Sequence, residues 1–259
     1  MPLDLFEHKF GCSSTHWDLR SKVPAGSDKT GRRRAGGNLA YATGVRSGPE
    51  LRDLSAEQFT DELDALAGIY ALAMAAPAAE LPGRISIMER HAGHPAFRAV
   101  VAVQPGEQGR HRERDGAAPA DRRALVGFAY GFHGLAGQWW HDVVTDSLAA
   151  RRGSDAAGHW LGDSFEFAEV HVHPDHQARG TGRAMMHALA AGRPERTAVL
   201  STPQGQTRAR RLYGSLGFVD LLPAFSFPGA GPAYAIMGAV LPLRGAPPPG
   251  DRSASPSRW

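Results

Sequence analysis

The sequence predicts a mixed α/β domain. Two observations carry that expectation. Short β-branched or aromatic runs alternate with stretches of helical period between residues 50 and 243, and no internal repeat interrupts the alternation. Over 259 residues, 42% hydrophobic and 21% charged content is that of an ordinary globular protein long enough to close its own core.

The elements follow in order. ELRDLSA (50–56) alternates as a strand does. AEQFTDELDALAGIYALAM (56–74) sets Phe59, Leu63, Leu66, Ile69, Tyr70 and Ala73 at helical spacing until Pro77 and Pro82 break it, and GRISIMERHAGH (83–94) suits a second helix. AFRAVVAV (96–103) is a strand by its β-branched run, residues 104–121 are a polar loop, and RALVGFAYGF (123–132) and SFEFAEVHV (164–172) are further strands. TGRAMMHALAAG (181–192) reads as a helix stopped by Gly192 and Pro194, and TAVLST (197–202) as a short strand. QTRARRLYGSLGF (206–218) has Ala209, Leu212, Tyr213 and Leu216 on one helical face, and AYAIMGAVLPL (233–243) is a last strand.

Charge is unevenly spread. Residues 1–47 hold eight Lys/Arg against four Asp/Glu, 244–259 hold three Arg against one Asp, and the middle holds 18 Arg against 21 Asp/Glu, within a net +3. The basic character therefore lies in two segments read as flexible tails, 1–47 and the Pro/Ser-rich 244–259, flanking a domain over 48–243. A nucleic-acid partner would call for a basic, aromatic-interleaved stripe on the domain, and none is present. No apolar run reaches the ~20 residues of a membrane span. The beginning of the chain lacks a secretory pattern, and the lone Cys12 cannot form an internal disulfide. A cytoplasmic location is the expectation.

The densest stretch is EVHVHPDHQARGTGRAMM (169–186). His171 and His173 share a strand face, a spacing that metals use, but no partnering cysteine or carboxylate cluster follows, and no metal is expected. GTGRAM has two glycines of a dinucleotide fingerprint but Met185 in the third place, so that reading fails. An anion cradle fits better. The strand ends at Val172, Pro174 turns the chain, and a glycine-bearing loop enters a helix near Thr181, where free N–H groups and the helix dipole favour a pyrophosphate.

QARGTG (177–182) resembles the Q/R-x-x-G-x-G/A signature of the GNAT N-acetyltransferases. ARRLYGSLGF (209–218) resembles the second motif of the same superfamily, and the two flank TAVLST in the family's order. The resemblance spans 48–243 and implies a mixed, mostly antiparallel central sheet flanked by helices. It also implies transfer of an acetyl group from acetyl-CoA to an amine.

By the same resemblance, the backbone of Gln177, Ala178, Arg179, Gly180, Thr181, Gly182 and Arg183 would hold the pyrophosphate. The N–H of Val170 would face the thioester carbonyl, Val172 would bond the pantetheine arm, and His171 between them would line the cleft. Tyr213 stands where the family has a general acid; its apolar spacing equally suits a core tyrosine. Gln206 occupies a position where many members carry an Asn that meets CoA. Glu166 and Glu169 are the two candidates for a general base, although strand alternation sends them to opposite faces unless a bulge intervenes. Residues 133–163 are longer than a hairpin requires. There, Trp139, Trp140, His141, Asp142 and Trp160 either line the acceptor site or pack a helix over 140–151 against the sheet. A small-molecule amine is the first expectation for the acceptor, with a protein or peptide amine, or a non-catalytic acyl-CoA-binding module, as alternatives. Residues 233–243 are either a homodimer seam, as in many members of the family, or an internal strand.

Overall fold

A computed structural model describes residues 48–104, 124–229 and 231–246. The predicted tail over 1–47, most of the predicted loop at 104–121 and most of the tail beyond 244 lie outside the described residues. One seven-stranded sheet organises the rest, in the order β1-β2-β3-β4-β5-β7-β6. Its strands are β1 (Glu50–Leu54), β2 (Arg98–Gln104), β3 (Ala124–His133), β4 (Ser164–Val172), β5 (Thr197–Pro203), β6 (Val219–Phe225) and β7 (Tyr234–Val240). Every neighbouring pair is antiparallel except β4 and β5. This is the mixed, mostly antiparallel sheet that the resemblance implied.

Helices cover both faces. On one side lie α1 (Ala56–Asp61), α2 (Leu63–Met74) and α3 (Leu81–Ala92), whose Phe59, Leu66, Tyr70 and Met88 pack on Val101, Phe128, Tyr130 and Phe132. On that same side α4 (Trp139–Arg152) and α5 (Ser154–Leu161) cover the far half of the sheet, through Val199, Leu221 and Ile236. The opposite face takes α6 (Thr181–Ala190) and α7 (Arg208–Ser215), with Met185, Met186, Leu189, Tyr213 and Leu216 against Val100, Ala129, Phe165 and Phe167.

Four differences from the sequence reading have local causes. The helix expected over 56–74 is two helices. Ser55 opens α1 with a reciprocal capping box to Gln58, and Glu62 leaves helical geometry (φ −98°, ψ 5°) between them. The helix expected over 206–218 begins only after Thr207, whose side chain caps the Arg210 N–H, and ends at Ser215. α5 adds a helix to the 133–163 connection; Gly153 (φ 90°) separates it from α4. β6 is a strand that the sequence reading does not contain. Pro223 sits inside it, and a proline is tolerated there because β6 is the edge of the sheet and its pairing with β7 is irregular between Leu222 and Phe225. β7 is bonded to β5 on one side and β6 on the other, so of the two readings of 233–243 it is the internal strand.

Candidate active site

The sheet opens in its middle. β4 and β5 pair only at Ser164–Thr197, Phe165–Ala198 and Glu166–Val199, yet β4 continues to Val172 and β5 to Pro203. Beyond Glu166, one edge of β4 therefore has no strand partner. The register decides which groups face that opening. The His173 N–H donates to the Val126 carbonyl of β3 (2.9 Å), so alternation turns the His171 N–H toward β3 as well. The N–H and C=O groups of Val170 and Val172 point the other way, into the opening. The Gln177 side-chain amide donates to the Val172 carbonyl there (3.1 Å), which ties the loop back to the strand.

That loop forms a concave run of amides. Ala178 (φ 59°) and Gly180 (φ 85°) both adopt left-handed backbone, and α6 starts at Thr181. The Ala184 N–H makes the helix's first bond, to the Gly180 carbonyl (3.0 Å), which leaves the Thr181, Gly182 and Arg183 amides without intrahelical partners. The Thr181 hydroxyl is buried at this helix start with no hydrogen-bond partner among the described residues. An orphaned hydroxyl beside free amides is the donor set a phosphate takes, so these residues fit the pyrophosphate of a CoA thioester. Arg179 is exposed, and Arg183 is bonded to the Ser215 hydroxyl. Gln206 is exposed, with its carbonyl accepting from Arg211.

The two strand glutamates share a face. Tyr130 pairs with Glu169 but Gly131 pairs with Phe167, so Ala168 is an extra residue in β4. This bulge shifts the alternation by one and turns both carboxylates toward the α1–α5 side. Their surroundings differ. Glu166 is buried and its Oε1 pairs with His141 Nδ1 at 2.9 Å, at the closed end where β4 still pairs with β5. Gly134 leaves room for this pair: a Cβ there would lie 2.7 Å from both Glu166 Oε1 and His141 Nδ1.

Glu169 lies just past the point where the strands part. Arg84 Nη1 from α3 meets its Oε1 at 2.7 Å, and His171 Nε2 meets its Oε2. Burial alone would push the carboxyl up, but Arg84 and then His171 outweigh it and hold it at about 2. Burial would likewise lower the Arg84 guanidinium, yet Glu169 raises it. An ionised carboxylate only accepts hydrogen bonds, so in neutral His171 the proton sits on Nε2 and the lone pair on Nδ1. Arg84 Nη2 donates to the Tyr70 hydroxyl (2.9 Å), and nearby His91 Nδ1 pairs with the Tyr130 hydroxyl (3.1 Å).

Tyr213 approaches from the other face. Its ring packs in the α6–α7 core beside Phe218 (5.9 Å), and burial, with a further contribution from Glu169, pushes its phenol up to about 12. Glu169 belongs to the opposite face of the sheet, and its charge adds to the burial that raises the phenol.

The tryptophans are placed otherwise. Trp140 is buried among α4, α5 and β5–β7 residues and donates to Ser201 Oγ (3.3 Å), while Trp139 is partly buried with its ring 5.5 Å from Phe227. Trp160 lies over Gly238, where a Cβ would come within 2.7 Å of its ring. Asp142 accepts from the Gly137 N–H (3.0 Å), and His173 accepts from the Asp175 N–H (3.2 Å). Among the described residues no group of three His, Cys, Asp or Glu is arranged to hold a metal ion. Nor is any helix there long and apolar enough to cross a membrane.

Arg84, Tyr70, Tyr130 and His91 are not singled out by the sequence reading. One signal was available. Arg84 occupies the stripe that Ile87, Met88 and His91 define, so a cation falls on the buried face of an amphipathic helix.

An open strand edge leading to an amide-lined helix start is the arrangement that the GNAT resemblance implies for an acyltransferase taking its donor from CoA. Comparison with known proteins narrows the class. Residues 121–220 match the model of the acetyltransferase (GNAT) domain. The chain is 34% identical over 203 residues to the GCN5-like protein acetyltransferase Rv2170 of Mycobacterium tuberculosis, covering 74% of this chain and 98% of that protein. Among solved structures, Arabidopsis thaliana NAA60 in complex with a bisubstrate analogue superposes with a TM-score of 0.48 at 14% identity, over 74% of this chain and 98% of that one. Salmonella typhimurium yncA with its cofactor acetyl-CoA gives 0.43 at 18%, over 78% and 98%. The chain belongs to the GNAT acetyltransferase family. It is an acyltransferase, and acetyl-CoA is the donor this family uses.

Proposed function

We propose that the protein transfers the acetyl group of acetyl-CoA to a primary amine by direct attack on the thioester, with His171 taking the amine proton and Tyr213 protonating the departing sulfur. The observation that carries this is the unpaired edge of β4 beyond Glu166, which leads from the Glu169–His171 pair to the amide-lined start of α6. Acetyl-CoA supplies the thioester. The amides of residues 178–183 and the Thr181 hydroxyl hold its phosphates, the Gln177 N–H being bonded to the Pro174 carbonyl (3.2 Å), and Val170 and Val172 offer backbone groups along the opening. The Val170 N–H is the oxyanion donor, fixed by the strand rather than by a mobile side chain. As the C–N bond forms and the C–S bond breaks, one proton passes from the amine to His171 Nδ1 and one from the Tyr213 hydroxyl to sulfur. Glu169, held near 2, is too weakly basic to take the proton itself and serves to orient His171. Glu166, closed in with His141, is assigned to holding the floor of the cleft.

The acceptor we propose is an amino group of a protein. The relative from Mycobacterium tuberculosis bears the name of a protein acetyltransferase over 98% of its length. Trp139 and Trp140, the residues expected to line a small-molecule site, pack in the cluster of α4, α5 and Phe227. CoA-thiol release should be measured with lysine peptides, N-terminal peptides and a panel of small amines, for the wild type and His171→Gln. Turnover with peptides, lost in His171→Gln, is expected. Turnover on small amines alone overturns the acceptor class, and full activity of His171→Gln overturns the proton path. Acetyl marks on the enzyme itself are easily separated, because its only lysines are Lys9, Lys22 and Lys29.

A further inference from the structure

We propose that Arg84 is a positioning residue of the transfer reaction: from helix α3 it locks the Glu169 carboxylate onto His171 Nε2, and so keeps His171 Nδ1 as the nitrogen that receives the proton. The proposal rests on the reading of His171 as proton acceptor.

Four side chains close a ring. Arg84 Nη1 meets Glu169 Oε1 at 2.7 Å, Glu169 Oε2 meets His171 Nε2, the Tyr70 ring stands edge-on to the His171 ring at 5.2 Å, and the Tyr70 hydroxyl returns to Arg84 Nη2 at 2.9 Å. The guanidinium also lies over the Tyr70 ring, 4.4 Å from its centre. Each member therefore fixes another. Glu169 spends one oxygen on the cation and presents the other to the imidazole, so carboxylate rotation, which would release His171, breaks a charge-assisted bond. Tyr70 blocks the ring from swinging away on its other side.

A purely structural role fits these residues poorly. Arg84 and Glu169 are both 8% exposed, and a desolvated ion pair is commonly no more stable than well-packed apolar residues of the same size. What an ion pair adds at this place is direction. The helix hairpin α2–α3, remote in sequence from both GNAT-like motifs, thereby reaches the reacting centre through Arg84 and Tyr70. The other titratable groups facing Glu169 are His91 from α3, Tyr130 from β3 and Tyr213 from α7. All three remain in the variants below.

The test is a double-variant cycle on the full chain with acetyl-CoA and the best acceptor found. Arg84→Met should lower kcat by about tenfold to a hundredfold, with the KM for acetyl-CoA within about twofold of wild type. Arg84→Lys, which keeps the charge but not the fork that also reaches Tyr70, should recover part of the loss. Combined with His171→Gln, Arg84→Met should cost nothing more than His171→Gln alone, because a residue acting only through His171 has nothing left to position. Imidazole ¹⁵N shifts should show the His171 proton on Nε2 in the wild type and divided between the two nitrogens in Arg84→Met. An additive double variant, or an unchanged His171 tautomer with unchanged kcat, overturns the proposal. If Arg84→Met does not fold, the same cycle is run with Arg84→Gln, which also lacks the cation, and judged by the same two outcomes. A fully active His171→Gln overturns the underlying proton path instead, so the two failures are told apart.

Discussion

Replacing Glu169 by glutamine should change the acid stability of the protein in a defined window. The carboxyl is held at about 2 in the fold against the usual 4.5, chiefly by Arg84 and His171 acting against burial. At about 1.4 kcal/mol per pKa unit, that interval corresponds to roughly 3 kcal/mol of stability. The sign follows from a depressed folded-state pKa. The contribution is complete above 4.5, where the unfolded chain is also ionised, and is lost as the pH falls toward 2 and the unfolded chain takes the proton first. By pH 3 the loss amounts to roughly 2 kcal/mol. The substituted amide cannot titrate, and at neutral pH it leaves the buried Arg84 without its carboxylate, so Glu169→Gln should be less stable there by roughly 3–5 kcal/mol. Urea denaturation of both proteins at pH 7, 5, 4 and 3 isolates the effect, because every other acid titrates in both and cancels in the difference. The gap should stay level from pH 7 to 5 and then close by roughly 2 kcal/mol at pH 3. A gap that stays constant down to pH 3 would refute the account of Glu169 as an ionised carboxylate clamped by Arg84.

Tyr213→Phe should lower kcat by about a hundredfold or more while leaving acetyl-CoA affinity within about twofold, read by CoA release and calorimetry. With the phenol pushed up to about 12, the wild-type rate should show no alkaline decline from Tyr213 below about pH 10. Thr181→Val, near in shape but without the orphaned hydroxyl, should weaken acetyl-CoA binding by about tenfold without lowering the thermal midpoint. Gly131→Ala should destabilise the fold by about 1–3 kcal/mol or more, seen as a lower thermal midpoint, because a Cβ there would sit 2.6 Å from Phe165 Cζ and against the Glu166 backbone carbonyl.

Much of this protein is written in short-range pattern. β-branched and apolar runs placed the β2, β3, β4 and β5 strands to within a residue or two, and QARGTG marked the helix start, because loop and cap residues adjacent in the chain set where a helix begins. Edges and interruptions were less legible. Pro223 concealed β6, since tolerance of a proline depends on the strand lying at the edge, which is a property of the assembled sheet.

The sequence by itself determined the order of most elements, the glycine-bearing start of α6 and the placing of two glutamates on the central strand. Only the tertiary structure decided which groups those glutamates meet. The bulge at Ala168 is a mismatch of register between β3 and β4, visible in neither strand alone, and it turns Glu166 and Glu169 to one face. Arg84 reaches Glu169 across 85 residues of chain, so no local window contains both charges. α4 packs Trp140 into the core on one face of the sheet and α7 packs Tyr213 into the core on the other, placements that depend on elements distant in the chain. Periodicity reports which face a residue takes on its own element. What that face meets is set by elements far away in the chain.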